Sequence, residues 1–377
     1  MRLELENRMS ETNSDASLRR LIEQRKRLPA WAKSTELLDA VKNNQVTIVA
    51  GETGCGKTTQ LPQFILDDAI ANGNGARTNL ICTQPRRISA TSVAARVAQE
   101  RGEPIGKTIG YKIRLESVAS SSTKILFVTT GVLLRRLAED PLLSGVSHVV
   151  VDEVHERSMD SDFLLVLLRD VLPHRPSLRI VLMSATLNAS AFSAYFKGAA
   201  VAQIPGFTFP VQEHYLEDIL QVTSYVPSGE YLKRGGYGSS TPSTSDRTPG
   251  EYYAPDAKSE QKFLDDLISR GYTQNTRDAL RSMDQSVINY NLAAKLIEHI
   301  CVDMAPGAIL VFMPGLAEIT KLHEMCANNQ KIRNATGGAK YLIGLHSSLS
   351  TAEQKVIFEP PPNDARKIVI ATNIAET

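Results

Sequence analysis

Residues 51–58 read GETGCGKT and lie between a short apolar run, VTIVA, and text of helical periodicity, TTQLPQFILDDAI. This is G-x-x-x-x-G-K-[ST] in a strand–loop–helix setting, which confines the chain to folds in which a buried strand ends beneath a polyphosphate. An anion must be approached by successive backbone N–H groups without side-chain obstruction. Gly51, Gly54 and Gly56 permit that approach, and the dipole of the following helix adds to the attraction. Lys57 then reaches the β- and γ-phosphates and Thr58 is a ligand for Mg²⁺. Glu52, Thr53, Cys55 and Thr59 complete the nucleotide-binding stretch. With glycine at about 7% of residues, the four fixed positions would recur by chance on the order of once in a hundred such chains, and the context lowers that further. Pro62, just past the first helical turn, is expected to distort the helix.

A second signal is VVVDEVHER, an apolar strand running into two adjacent carboxylates. Standing alone, an Asp-Glu pair is more often a strand-to-helix turn with a solvated cap. Downstream of a phosphate loop it takes the form of a Walker B site. Asp152 is then set at the sheet's C-terminal edge near the Mg²⁺ held by Thr58, and Glu153 polarises an attacking water.

The apolar runs VTIVAG, NLICTQ, KILFVTT, HVVVDE and RIVLMSAT alternate with helical text, as do the later runs AILVFMPG, YLIGLHSS and KIVIATN. Short Val/Ile-rich runs separated by helices indicate buried parallel sheets, so the expected class is α/β with two domains, the second incomplete. A length of 377 residues and 42% apolar content suffice for two ordinary cores. Residues 1–33 form a charged leader whose Leu18, Leu21, Ile22 and Leu28 suggest an amphipathic helix ending near Pro29. Residues 34–205 are the first domain and 206–377 the second, with the hinge in PGFTFP. A flexible surface insertion is expected at 227–257, since Gly235 to Gly250 is too poor in apolar residues to fold.

The net charge of +1, from 42 basic and 41 acidic residues, does not by itself announce a polyanion ligand. Basic character is local: residues 80–130 hold eight Lys and Arg against three Glu. The cysteines, Cys55, Cys82, Cys301 and Cys326, form no metal-ligand spacing, and a reducing compartment follows as the default. No apolar run is long enough to span a bilayer, and MRLELENRMSETNSDAS lacks the apolar core of a secretory signal. A cytoplasmic or nuclear location is expected, the cytoplasmic one favoured.

From about Leu28 to Thr377 the sequence resembles the DEAH/RHA family of superfamily 2 RNA helicases, in particular its RNA helicase A-like branch. The likeness is carried by GETGCGKTTQ, TQPRRISA (83–90), TTGVLLR (129–135), DEVH (152–155), SAT (184–186), FMPG (312–315), LHSSLS (345–350) and ATNIAET (371–377), in the family's order. The resemblance implies two RecA-like domains with ATP between them and single-stranded RNA across both. It assigns the phosphates to Gly54, Gly56, Lys57 and Thr58, and Mg²⁺ and water to Asp152 and Glu153. His155 and the segment Ser184, Ala185 and Thr186 would couple the site to domain movement. Arg96 and Phe358 would sandwich the adenine, a stack that reads little of the base. Arg86, Arg87, Arg114, Thr129, Ser347 and Thr372 would grip the RNA backbone, positioning a strand without reading it.

The sequence departs from the family's pattern at Val154, the third residue of the DEAH box, and at Thr130, where relatives often carry an acid. After Thr377 the family continues with an arginine-rich motif and accessory domains. An arginine finger contributes roughly 10³ to 10⁵ in rate, about 4–7 kcal/mol, so the stretch as it stands is expected to bind nucleotide weakly and turn over poorly. Two alternatives stay open: a P-loop ATPase remodelling DNA or ribonucleoprotein, and a truncated, non-catalytic RNA-binding product.

Overall fold

Val46, Ile48 and Ala50 of the first strand belong to one hydrophobic cluster, and Val49 between them belongs to another. A strand with a core on each face has no polar alternation to show, which is why VTIVAG reads as an unbroken apolar run. The computed structural model describes residues 16–185, 189–206, 210–233, 257–346, 349, 353–354, 356–362 and 365–376. The chain divides into two compact units, Met1–Phe209 and Pro210–Glu376.

The strands of the first unit are β1 (Val46–Gly51), β2 (Leu80–Gln84), β3 (Ile109–Ile113), β4 (Glu116–Val118), β5 (Ile125–Thr129), β6 (His148–Val151), β7 (Arg179–Ser184) and β8 (Ala200–Ile204). They form one sheet in the order β4-β3-β5-β2-β6-β7-β1-β8. Every neighbouring pair is parallel except the β3/β4 hairpin at the edge. Its helices are α1 (Ala16–Lys26), α2 (Pro29–Ala32), α3 (Ser34–Asn43), α4 (Lys57–Ala71), α5 (Arg87–Glu100), α6 (Thr130–Glu139), α7 (Met159–Val171) and α8 (Ala189–Tyr195). Residues of α2 to α5 pack on one face of the sheet and those of α6 to α8 on the other. This is the RecA-like α/β arrangement.

The structure refines the sequence reading at three points. The leader helix α1 ends at Lys26, near Pro29 as expected, and Pro29 starts a second short helix, α2, where its missing N–H costs nothing. Fully buried Ala30 belongs to the core of the first unit, so the leader is part of its packing. Pro62, expected to distort its helix, lies inside α4, which continues to Ala71. Lacking an N–H, Pro62 forfeits only the bond to the carbonyl four residues back, and burial of the surrounding turns holds the rest. Strands β3, β4 and β8 had no counterpart in the apolar runs. Lys112, Glu116, Val201 and Gln203 are exposed on them, as suits strands at and near the sheet edges.

The second unit contains α9 (Leu216–Thr223), α10 (Ala257–Ser269), α11 (Gln274–Ser282), α12 (Tyr290–Asp303), β9 (Ile309–Phe312), α13 (Leu316–Asn328), α14 (Gln330–Ala335), β10 (Leu342–Leu345) and β11 (Ile368–Ala371). Its parallel sheet has the order β10-β11-β9 and shares a core with α12, α13 and α14. A separate cluster of Leu220, Tyr225, Leu267, Tyr272, Leu280 and Met283 ties α9, α10 and α11 together. Residues at both ends of the insertion expected at 227–257 are structured. Residues 229–231 form a 3₁₀ turn with Tyr231 buried, Leu232 bridges to Met283, and Ala257 already begins α10. The aromatic ring of Tyr231 supplies the apolar area that composition averaged over the segment concealed. Residues 234–256 lie outside the described residues. Among the described residues, no helix is long and apolar enough to cross a membrane.

Leu164 on α7 is fully buried in the cluster beneath β6 and β7. Leu164→Ala is expected to destabilise the first unit by about 2–5 kcal/mol, the cost of a cavity with partial relaxation, measurable by chemical denaturation.

Candidate nucleotide-binding site

The three glycines of the phosphate loop are required for different reasons. Gly54 has φ +81° with open space around it, so its conformation alone excludes a side chain. Gly51 needs room: a Cβ there would lie 3.0 Å from Cys55 Sγ and 3.1 Å from Ile204 Cβ. Gly56 needs both, with φ +93° and a Cβ position 3.1 Å from Leu28 Cδ1. Lys57, the first residue of α4, is buried, and its Nζ donates to the carbonyls of Gly51 at 2.5 Å and Glu52 at 3.0 Å. The loop's own carbonyls thus hold the ammonium at its mouth.

Asp152 follows β6 and is buried. Its Oδ2 accepts from Thr58 Oγ1 at 2.6 Å and Gln84 Nε2 at 2.7 Å, and its Oδ1 accepts from the Glu153 amide at 2.9 Å. Burial pushes this carboxyl above the usual range, against the pull of those hydrogen bonds. Glu153 adopts the left-handed region at φ +53°, a conformation that costs a non-glycine residue energy and recurs at functional sites. Burial first, and then the charge of Asp152, push its carboxyl up to about 7, with Lys57 opposing. His155 has Nε2 3.4 Å from Glu153 Oε2, and its Nδ1 accepts from the Ala185 amide at 3.2 Å. The paired acids are therefore joined to the segment after β7, where buried Ser184 donates to the Ala185 carbonyl. Thr186 lies outside the described residues.

In a parallel sheet all strands end on the same edge, so the turns after β1, β2, β3, β5, β6 and β7 share one crest. Arg86, at the start of α5, faces the acidic loop, with Nη1 3.1 Å from Glu156 Oε1 and Nη2 3.4 Å from Oε2. Arg87 is exposed on the first turn of α5, Arg114 is exposed in the β3/β4 turn, and Thr129 is half-buried at the end of β5. Arg96, on α5, donates from Nε to Glu100 Oε1 at 2.8 Å. Phe358 and Thr372 belong to the second unit, Phe358 exposed at the end of a 3₁₀ turn and Thr372 half-buried after β11. Ser347 lies outside the described residues. Sequence reasoning missed Gln84 and Glu156, although both sit within or beside motifs it used. A polar residue ending a buried strand was the available signal for Gln84.

Residues 32–193 match the model of the DEAD/DEAH box helicases. The chain belongs to that family. It is 48% identical over 376 residues to the DExH-box ATP-dependent RNA helicase DExH1 of Arabidopsis thaliana, covering 99% of this chain and 37% of that protein. It is 45% identical over 383 residues to the putative ATP-dependent RNA helicase DHX57 of Homo sapiens, covering 95% and 28%. It is 43% identical over 364 residues to the ATP-dependent DNA/RNA helicase DHX36 of Homo sapiens, covering 94% and 35%. The chain spans about a third of the length of the curated relatives it matches. Membership in this family implies ATP binding.

Two outcomes follow from this geometry. Gly56→Ala is expected to cost about 1–3 kcal/mol in backbone strain, read by thermal unfolding, and to weaken binding of a fluorescent ATP analogue. Glu153 titrates near 7 in the fold against 4.5 for an unperturbed glutamate, so the native state holds the extra proton between those values. Stability of the ligand-free protein should accordingly fall as pH rises through that window and then level. Denaturation at a series of pH values checks this, and Glu153→Gln should flatten the slope.

Proposed function

We propose that this chain is the nucleotide-hydrolysing motor segment of an ATP-dependent RNA helicase, coupling hydrolysis to movement along RNA and strand separation. The observation that carries the reading is the meeting of the phosphate loop with the paired acids, Thr58 Oγ1 to Asp152 Oδ2 at 2.6 Å, with Lys57 buried alongside. A hydroxyl and a carboxylate this close are hard oxygen donors of the kind Mg²⁺ takes. Thr58 and Asp152 would hold such an ion, which would offset negative charge on the bound phosphates.

The chain's own residues do the rest. Lys57 leaves the loop carbonyls for the phosphates, and the backbone amides of the loop receive the remaining oxygens. Ionised Glu153 accepts a proton from the attacking water. His155, in contact with both Glu153 and the Ala185 amide, passes a change at the acids to the segment following β7.

RNA as the track is supported by the names of the relatives, which are RNA helicases, and by the basic crest carrying Arg87 and Arg114. Contacts of that kind hold phosphate and sugar, as a motor stepping along any sequence needs. A second reading, action on DNA as well, is favoured by the DNA/RNA helicase among the relatives. Phosphate contacts alone do not distinguish the sugar, so competition between RNA and DNA strands of one sequence at fixed salt separates the two: a preference for RNA reports contacts to the 2′-hydroxyl.

In the full-length protein RNA should stimulate ATP hydrolysis, and Lys57→Ala should abolish it. A rate indifferent to RNA, or unchanged by Lys57→Ala, overturns the proposal.

A further inference from the structure

The leader ahead of the phosphate loop is attached to it at several independent points. The Ala30 amide donates to the Cys55 carbonyl at 3.0 Å. Leu28 packs against Gly56, leaving no room for a Cβ there. Arg25, buried although it lies on a largely polar helix, donates from Nε to Gln60 Oε1 at 2.9 Å, and the same nitrogen is 3.4 Å from Glu100 Oε2. Its guanidinium lies 5.3 Å from the centre of the Trp31 ring, which meets Phe64 of α4 edge-on. Gln60 and Gln63, both fully buried on the first turns of α4, donate to Glu100 Oε2 at 2.9 Å each.

The Cys55–Gly56 peptide is trans, so its carbonyl and its N–H point in opposite directions. With the carbonyl tied to Ala30, the Gly56 N–H is aimed away from the leader. A flip of this peptide would present a carbonyl where an anion needs a donor. The Ala30 amide is a spare donor because it opens a helix, where no intrahelical acceptor exists. Packing alone would not call for Arg25, since apolar residues commonly replace a buried ion pair without loss of stability. The Arg25–Gln60–Glu100 contacts supply orientation instead.

We propose that residues 25–31 are a clamp that holds the phosphate loop in its anion-accepting form, with Arg25 a positioning residue for the nucleotide. This rests on the loop being the ATP site. Because coupling is reciprocal, nucleotide must in turn tighten the clamp.

The experiment combines binding of a fluorescent ATP analogue to the full chain with hydrogen exchange at the Ala30 and Trp31 amides. Arg25→Ala is expected to weaken binding about tenfold, with Arg25→Lys intermediate, while a cooperative unfolding transition persists. Saturating nucleotide should slow Ala30 exchange in the wild type and lose that effect in Arg25→Ala. Wild-type affinity in Arg25→Ala, or Ala30 exchange indifferent to nucleotide, overturns the clamp while leaving the ATP site standing. If Arg25→Ala does not fold, the wild-type exchange measurement decides. No binding by the wild type, with Lys57→Ala as its control, overturns the ATP site and the clamp together.

Discussion

Thr58 and Asp152 stand 94 residues apart in sequence and 2.6 Å apart in space. That contact exists because β7 lies between β1 and β6 in parallel register, pairing Ala50 with Ser184 on one side and Leu182 with Val151 on the other. Three consecutive strands of the sheet therefore end on one crest, delivering the phosphate loop, the Ser184 segment and the paired acids together. A parallel strand can sit so deep only if helices cover both faces, and each face here has its own apolar cluster. The site is thus a consequence of how the sheet is ordered.

Burial gives the site its electrostatic character. Lys57, Asp152 and Gln84 are almost inaccessible, so each must find a partner within the protein. Lys57 takes loop carbonyls and Asp152 takes a hydroxyl and two N–H donors. Glu153, held in a left-handed conformation beside a second acid, is the member whose charge is least satisfied. A carboxylate kept at a disadvantage in the ligand-free state gains from any cationic charge that arrives beside it. The leader extends the same logic outward, since Arg25 and Glu100 are also buried charges that find each other and the helix of the phosphate loop.

Much of this arrangement is legible in the sequence. Runs such as VTIVAG and RIVLMSAT could be read as buried parallel strands because burial on both faces leaves a continuous apolar stretch, and β1 and β7 fall within them. The edge elements were not legible in that way. Strand β8 exposes Val201 and Gln203, and the β3/β4 hairpin carries Lys112 and Glu116 in solvent, so neither leaves an apolar run. The helical cluster of α9, α10 and α11 stayed hidden because its core is assembled from single residues of several short segments.

The identities and order of the chemistry-bearing motifs, and the α/β class, are readable from the chain alone. These are encoded locally, in glycines that a phosphate loop demands and in apolar runs that a double-faced sheet demands. The pairings come from the folded arrangement: Gln84 on Asp152, Glu156 on Arg86, Arg25 and Gln60 on Glu100, and Ala30 on the loop carbonyl. Such contacts depend on strand order, register and depth of burial. No local pattern in a chain specifies distances between residues that meet only after the sheet has formed.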